Sequence, residues 1–357
     1  MSLPPTAKSL TYTTQSSNPR VIETPLAPPS PKELVVKVHA AAINPVDTQI
    51  WRSGLIGWLA GKKEKGIGRD YSGTVVAVGK EVEALGKWRV GDEVFGLLVK
   101  FVGEGTFSQY IHVSPATDPI AKKPTCFTYE MAAAVPLVVL TAFACLDWLP
   151  REKAEDGMRR IIVAGASGGV GIWCVQLAKK LYNCHVTGIC SAKNANFVRQ
   201  IGADEIVDYT SQFVAQTLLE EKPSGRKYDL YIDCVGGTDM FEYIHDLLHP
   251  NAAYITIVGD KTSRELVGGP ITYSTYPAQI IRYAKGLIWG PRYANISLYK
   301  KSELLQQVAA LAERGEVEVI VQEVVEGVLD EGSEKWKEVF DLIDSAKVRG
   351  KIVVKIA

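Results

Sequence analysis

Ile161-Ile-Val-Ala-Gly-Ala-Ser-Gly-Gly-Val-Gly171 is the stretch that decides how this chain folds. A short apolar run, Ile161 to Ala164, meets three glycines spaced three apart, Gly165, Gly168 and Gly171. A helix-like stretch then runs from Ile172 to Leu181. The layout is a strand, a tight turn and a helix N-terminus. In such a turn bare backbone N–H groups can approach a pyrophosphate, and the positive end of the helix dipole favours the anion. The usual fingerprint is G-x-G-x-x-G, and here Ser167 takes the place of the middle glycine. Gly-rich turns also serve plain strand-to-helix connections, so the surrounding chain has to decide.

That context is a change of texture near Tyr129. Residues 1–128 are β-rich: Glu33-Leu-Val-Val-Lys-Val-His-Ala40, Gly73-Thr-Val-Val-Ala-Val-Gly79 and Phe107-Ser-Gln-Tyr-Ile-His-Val113 are strand-like runs broken by Gly, Pro and Asn. Beyond it, apolar strands at Ile161–Ala164, His185–Cys190, Glu205–Val207, Leu230–Cys234, Tyr254–Val258 and Gly286–Trp289 alternate with helical patterns such as Gly171–Leu181 and Lys193–Ile201. Alternation of this kind predicts βαβ units and a doubly wound parallel sheet. The tail predicts a helix from Leu304 to Arg314, a strand over Val317–Val325, a helix over Ser333–Ser345 and a last strand over Lys351–Ile356. It is too short to fold alone and is expected to complete the N-terminal β domain.

The bulk numbers exclude several classes. At 357 residues the chain holds two or three domains. Forty basic residues balance forty acidic ones, which leaves no electrostatic footprint for nucleic acid. Six cysteines form no C-x-x-C pair and read as reduced, buried thiols of a cytoplasmic protein. The segment Met1–Arg20 lacks an apolar signal core. It is free of acids, as a mitochondrial transit peptide would be, but Pro4, Pro5 and a shortage of arginine argue against one. The longest apolar stretch, Met131 to Leu146, is shorter than the ~20 residues of a spanning helix and reads as a buried core helix. No integral membrane segment is expected.

The end of the second strand discriminates between dinucleotides. An Asp or Glu there binds a ribose 2′-hydroxyl, whereas a basic residue accommodates a 2′-phosphate. Here the strand ends in Ser191-Ala-Lys-Asn194, with no carboxylate until Asp204. Ser191 and Lys193 suit a phosphate, and NADPH is the expected cofactor. Ser191 also suits the N-cap of the following helix, and the two roles are compatible.

As a set, further motifs resemble the medium-chain dehydrogenase/reductase superfamily. They are Ala41-Ala-Ile-Asn-Pro-Val-Asp47, Gly68-Arg-Asp-Tyr-Ser-Gly73, Val90-Gly-Asp-Glu-Val94, Gly105-Thr-Phe-Ser-Gln-Tyr110, Pro136-Leu-Val-Val-Leu-Thr-Ala142, Gly202-Ala-Asp204, Asp233-Cys-Val-Gly-Gly237 and Gly350-Lys-Ile-Val353. The resemblance is nearest to the zeta-crystallin-like quinone oxidoreductases, notably their reticulon-interacting mitochondrial branch and its fungal relatives. It implies a GroES-like β-rich domain from residues 1–128 with 306–357, and a Rossmann-type NADPH-binding domain over 129–305. It implies that Gly165, Ser167, Gly168, Gly169, Val170 and Gly171 face the pyrophosphate and that Thr141 orients the nicotinamide. Ser191, Lys193 and Tyr209 would meet the 2′-phosphate, and Val235 and Val258 would line the cofactor. Asn44 would polarise a substrate carbonyl, Asp47 would fix the local loop, and Tyr71 would line the pocket or serve as a structural aromatic.

The superfamily also contains zinc alcohol dehydrogenases. The positions matching their catalytic ligands are Asn44, Arg69 with Asp70, and the Leu137–Thr141 region, and none offers a Cys or His. The four-Cys structural lobe is missing too, so no metal is expected. His245 and His249, four apart on an expected helix, read as a surface pair before Pro250. Without a Lewis acid, the acceptor must take hydride unaided. Quinones and α,β-unsaturated carbonyls qualify, because the incoming charge delocalises onto a conjugated oxygen.

Related enoyl-thioester reductases use a Tyr proton donor between the matches to Asn44 and Tyr71. This chain has Trp51 and Trp58 there instead, so water is expected to supply the proton. Two alternatives stand beside the quinone or enone reductase: an NADPH-binding sensor or scaffold with little catalysis, and a thioester reductase. The aromatic segment 260–297, with Tyr273, Tyr276, Tyr283, Trp289 and Tyr293, reads equally as a homodimer contact or as packing against the outer strands, with a substrate lid third. Related reductases dimerise by joining sheet edges near the strand expected at Gly286–Trp289.

Overall fold

A computed structural model describes residues 3–54, 61, 63–100, 103–151, 157–220, 225–261 and 266–357. Trp58 lies outside them. The chain divides into two compact units, Met1–Leu140 with Lys300–Ala357, and Thr141–Tyr299.

The first unit is the β-rich one. A small sheet runs in the order Arg20–Pro25, Thr6–Tyr12, Lys65–Gly66. A larger sheet runs Val321–Val325, Lys351–Lys355, Leu34–Ile43, Asp70–Val78, Glu93–Leu97, Ile120–Lys122, with Tyr110–Val113 also paired to Leu34–Ile43. The tail returns to this unit: Lys351–Lys355 pairs antiparallel with Leu34–Ile43, with Ile352 opposite Ile43. Leu34, Val36 and Val38 lie on one face of their strand and feed a core shared with Tyr71, Phe107, Trp336 and Phe340. Period-2 patterning puts one face of each strand into that core.

The second unit is a six-stranded parallel sheet in the order Glu205–Asp208, Cys184–Cys190, Arg159–Ala164, Tyr228–Asp233, Leu248–Thr256, Arg292–Asn295. The strand order reverses beside Arg159–Ala164, the topology of a Rossmann sheet, whose ligands lie beyond the carboxyl ends of the strands at the reversal. Helices Gly169–Tyr182 and Ala192–Gln200 follow the first two strands of the fold, within a residue or two of their expected ends.

Two local expectations are corrected. Gly286–Trp289 is not a strand but the end of the helix Ala278–Trp289. The apolar residues Ile280, Ala284, Leu287 and Ile288 recur at helical rather than alternating spacing, and the sheet's last strand is Arg292–Asn295. His245 and His249 do not share a helix. His245 is in a short turn of helix, Ile244–Leu247, whereas His249 is in the next strand and pairs with Asp229 at 2.8 Å.

The aromatic segment also resolves. Tyr293 is buried and continues a ladder with Tyr254 and Tyr231 on one face of the sheet, centroids 6.0 and 4.7 Å apart. Tyr273 lies at the sheet edge, where its hydroxyl accepts the Asn295 N–H.

Candidate active site

In the second unit the glycine turn follows directly on the strand Arg159–Ala164. Gly165 sits at φ +77°, in the left-handed region that favours glycine. A Cβ on Gly171 would fall 2.2 Å from the Gly165 carbonyl oxygen, so only glycine lets the helix start against the turn. The helix N-cap, Gly168, has no side chain to cap it, and the first N–H groups of a helix have no carbonyl inside it. Gly169, Val170 and Gly171 therefore present bare N–H groups beside the positive end of the dipole, an arrangement that fits a dinucleotide pyrophosphate.

The ends of neighbouring strands gather around this turn. Asn194 Nδ2 donates to Ser167 Oγ at 3.0 Å and reaches Ser191 Oγ at 3.5 Å, tying the turn to the end of the second strand. Ser191 stands at the N-cap of the helix Ala192–Gln200, yet its side chain makes no cap bond. Tyr209 continues the adjacent strand; its N–H donates to Cys190 O and its side chain is exposed, as is that of Lys193.

The anion at the N-terminus of the helix Ala192–Gln200 is the chain's own. Asp208 Oδ1 accepts the Ala192 N–H at 3.0 Å, and hydrogen bonds from Ser211 and Thr210 hold its carboxyl down at about 2. Any phosphate at this corner must be met by side chains rather than by that helix end. On the other side of the turn, a Cβ on Gly165 would fall 3.2 Å from Val235 Cγ2, and one on Gly236 would fall 2.6 Å from Val258 Cγ1. Thr141 is buried on the helix Pro136–Leu146.

In the first unit the expected residues meet in a buried polar core. Asn44 opens the helix Pro45–Arg52, and its N–H donates to Asp47 Oδ2 at 2.8 Å, one half of a capping box. Asn44 Nδ2 donates to Asp70 Oδ2 at 2.8 Å, and the other Asp70 oxygen accepts the Leu137 N–H at 2.8 Å. Lys351 Nζ donates to Asn44 Oδ1 at 2.5 Å, Ile43 O at 2.8 Å and Asp70 Oδ2 at 3.2 Å, which uses all three of its hydrogens.

Every one of these side chains is at least nine-tenths buried. Burial pushes the Asp47 carboxyl up to about 6, against the pull of the Arg69 guanidinium. Burial also raises Asp70 while the Lys351 cation lowers it, and burial lowers Lys351 itself. Three well-placed acceptors hold Lys351 as the charged donor. Asp47 Oδ1 is buried and has no hydrogen-bond partner.

Tyr71 is fully buried in the apolar core, with its ring over Gly96. Trp51 packs edge-on against Phe340 at 5.0 Å and donates its indole N–H to Ser17 O.

A superfamily zinc ion does not fit here: the matching positions carry an amide, a guanidinium and a carboxylate already bound to a lysine. Among the described residues, no three His, Cys, Asp or Glu side chains cluster as metal ligands.

Sequence reasoning assigned no role to Lys351, Asn194 or Asp208. Lys351 stands out in the sequence only as the polar start of the apolar run Ile352–Val354, which says nothing of its partners.

Comparisons with known proteins agree with this architecture. Residues 30–125 match the family model described as alcohol dehydrogenase GroES-like domain, and residues 201–354 match the one described as zinc-binding dehydrogenase. The chain is 33% identical over 347 residues to protein YIM1-2 of Lachancea thermotolerans, covering 92% of this chain and 91% of that protein. It is 29% identical to the human mitochondrial NAD(P)H oxidoreductase RTN4IP1, covering 91% of this chain and 82% of that one. Among solved structures, the quinone oxidoreductase of Coxiella burnetii aligns with a TM-score of 0.78 at 21% identity, covering 99% and 100% of the two chains. The Escherichia coli quinone oxidoreductase complexed with NADPH aligns with a TM-score of 0.75 at 22% identity, covering 98% and 99%.

Proposed function

The chain belongs to the medium-chain dehydrogenase/reductase superfamily and is an oxidoreductase of that type, and from that premise we propose that it is an NADPH-dependent, metal-independent reductase of quinones or α,β-unsaturated carbonyls. The observation that carries this reading is the bare helix N-terminus at Gly169–Gly171, packed against Gly165 at a distance no side chain would allow. When bound, the nicotinamide cofactor supplies the hydride.

The chain's own residues hold the reactants. Gly169, Val170 and Gly171 bind the pyrophosphate through N–H groups, and Asn194 keeps Ser167 and Ser191 together. Ser191, Lys193 and Tyr209 meet the 2′-phosphate and favour NADPH over NADH. Thr141 orients the nicotinamide, with Val235 and Val258 against the cofactor.

Asn44 polarises the acceptor oxygen. One of its Nδ2 hydrogens goes to Asp70, and the second is the donor that remains. Lys351 on the amide oxygen and Asp70 on the amide nitrogen fix its direction before the acceptor arrives, which is electrostatic preorganisation. The ligand positions of the zinc enzymes carry no thiolate or imidazole here, so the acceptor must delocalise charge by conjugation. Water supplies the proton, and Asp47 acts as the cap that sets the start of the helix Pro45–Arg52. The six free cysteines support a cytoplasmic location, with a mitochondrial one second.

NADPH oxidation against a panel of quinones, enones and crotonyl-CoA tests the assignment. Turnover on quinones or enones is expected. Tight NADPH binding without turnover on any acceptor would leave a sensor or scaffold, and turnover on crotonyl-CoA alone would make the chain a thioester reductase.

A further inference from the structure

Along the sequence, no carboxylate follows the second strand before Asp204. The fold supplies one from the neighbouring strand. Where Cys184–Cys190 pairs in parallel with Glu205–Asp208, Cys190 stands opposite Asp208, so the two strands end level. The Asp208 side chain reaches over to the peptide that joins Ser191 to Ala192, and Oδ1 accepts the Ala192 N–H at 3.0 Å. Further hydrogen bonds fix it there. Oδ1 also accepts the Thr210 N–H at 3.0 Å and the Thr210 hydroxyl at 2.7 Å, and Oδ2 accepts the Ser211 hydroxyl at 2.7 Å.

Each of these donors is neutral, so the carboxylate keeps its full negative charge. The same bonds hold it down at about 2, and it stays ionised at any working pH. Three donors fill Oδ1, whereas Oδ2 has one and can accept another. The charge lies between the two neutral side chains that the proposed function gives to the 2′-phosphate. Asp208 bonds the amide on the carboxyl side of Ser191, and Tyr209 follows Asp208 in the chain, with its own N–H on Cys190 O. A group that touches both Ser191 and Tyr209 is therefore within two residues' reach of the charge, ~7 Å. At that separation, near a protein surface, like charges shift an equilibrium by about tenfold.

We propose that Asp208 is a cofactor-specificity residue, a carboxylate that accepts a ribose 2′-hydroxyl and opposes a 2′-phosphate. It takes the part that an acid at the end of the second strand plays in a dinucleotide fold, delivered here from the next strand. Ser191, Lys193 and Tyr209 draw NADPH in against Asp208, and the preference for NADPH over NADH is the difference between the two pulls. This role rests on the proposed binding of a nicotinamide dinucleotide at the glycine turn, and not on which acceptor is reduced. A purely structural Asp208 would behave differently. As a clamp on residues 208–212, where Gln212 Oε1 accepts the Asp208 N–H at 2.7 Å, it would serve both cofactors equally. The ratio of the two affinities separates charge from clamp.

Titration of the full chain with NADPH and with NADH, followed by nicotinamide fluorescence, tests it. Asp208→Asn keeps an oxygen for the Ala192 N–H, and the Ser211 hydroxyl can accept from the new amide. NADPH should bind this variant about tenfold more tightly, while NADH binds as before or more weakly. Asp208→Glu keeps the charge and should hold the ratio of the two Kd values near that of the unaltered chain. Asp208→Ser repeats the neutralisation with another cap-forming side chain, should the asparagine variant not fold. An equal change for both cofactors in the neutral variant, a ratio moved toward NADH, or a glutamate variant that matches the asparagine one would each overturn the proposal and leave the cofactor reading in place. Failure of the unaltered chain to bind either dinucleotide would overturn both.

Discussion

Lys351 donates its ammonium to the side-chain oxygen of Asn44 at 2.5 Å, although 307 residues separate them in sequence. The contact gives the returning C-terminal strand a second purpose beyond completing a sheet. A lysine can only donate, so the Asn44 oxygen must face it and the Asn44 nitrogen must face Asp70. The direction of the amide is thus set by two buried charges of opposite sign rather than by packing alone.

Replacing Lys351 with Met keeps the volume and removes the charge. Asp70 is then left as a fully buried carboxylate without its cation, a loss of about 3–5 kcal/mol by the usual cost of breaking a buried pair. Urea unfolding should show that loss for Lys351→Met. The double variant Lys351→Met with Asp70→Asn should recover a good part of it, since no uncompensated charge remains.

Asp47 gives the core a pH dependence with a defined sign. Its folded carboxyl is pushed up to about 6 by burial, above its ordinary value of 3.8. The folded state therefore holds the proton more tightly than the unfolded one. The stability this contributes is full below about pH 4 and is lost as pH rises through about 6, roughly 3 kcal/mol in total. Asp47→Asn keeps an oxygen to accept the Asn44 N–H but cannot ionise. Chemical denaturation at pH 4 and pH 7 should show the variant gaining on the wild type by an amount of that order.

The glycine turn and the alternation of strands with helices were legible because each depends on local spacing, and the return of the tail because that segment is too short to fold alone. Gly165 to Gly171 needs a conformation and a closeness that few residues permit, and period-2 runs identify Leu34–Ile43 and its neighbours as strands. The partners of Asn44 were not legible, because a cation 307 residues away carries no local mark of where it folds. Ala278–Trp289 misled for a related reason. Its last four residues alone read as a strand, and the helical period appears only with Ile280 and Ala284 included. Asp208 was hidden differently: a carboxylate four residues beyond Asp204 reaches back to Ala192 only because parallel strands bring their ends together.

Gly171→Ala tests the turn as a cofactor site. The new methyl would sit 2.2 Å from Gly165 O, so the helix must shift away from the turn. The bare N–H groups move with it. NADPH binding, followed by quenching of intrinsic fluorescence, should weaken at least about tenfold, which corresponds to 1.4 kcal/mol. The melting temperature should fall as well, because overpacking a closed turn costs about 1–3 kcal/mol.

Lys193 and Asn194 are neighbours in sequence but should fail in different ways. Lys193 is exposed at the strand end, and the proposed function gives its charge to the 2′-phosphate. Lys193→Ala should raise the KM for NADPH by about tenfold, the worth of one charge-assisted contact, and spare the KM for NADH. Asn194 donates to Ser167 in the turn and reaches Ser191 at the strand end. Its loss loosens the part of the site that both cofactors share, so Asn194→Ala should raise both KM values together. Steady-state kinetics with the two cofactors on one acceptor separates the cases. Equal effects of Lys193→Ala on NADPH and NADH would remove the 2′-phosphate role from Lys193, and a purely NADPH-specific effect of Asn194→Ala would move that role to Asn194.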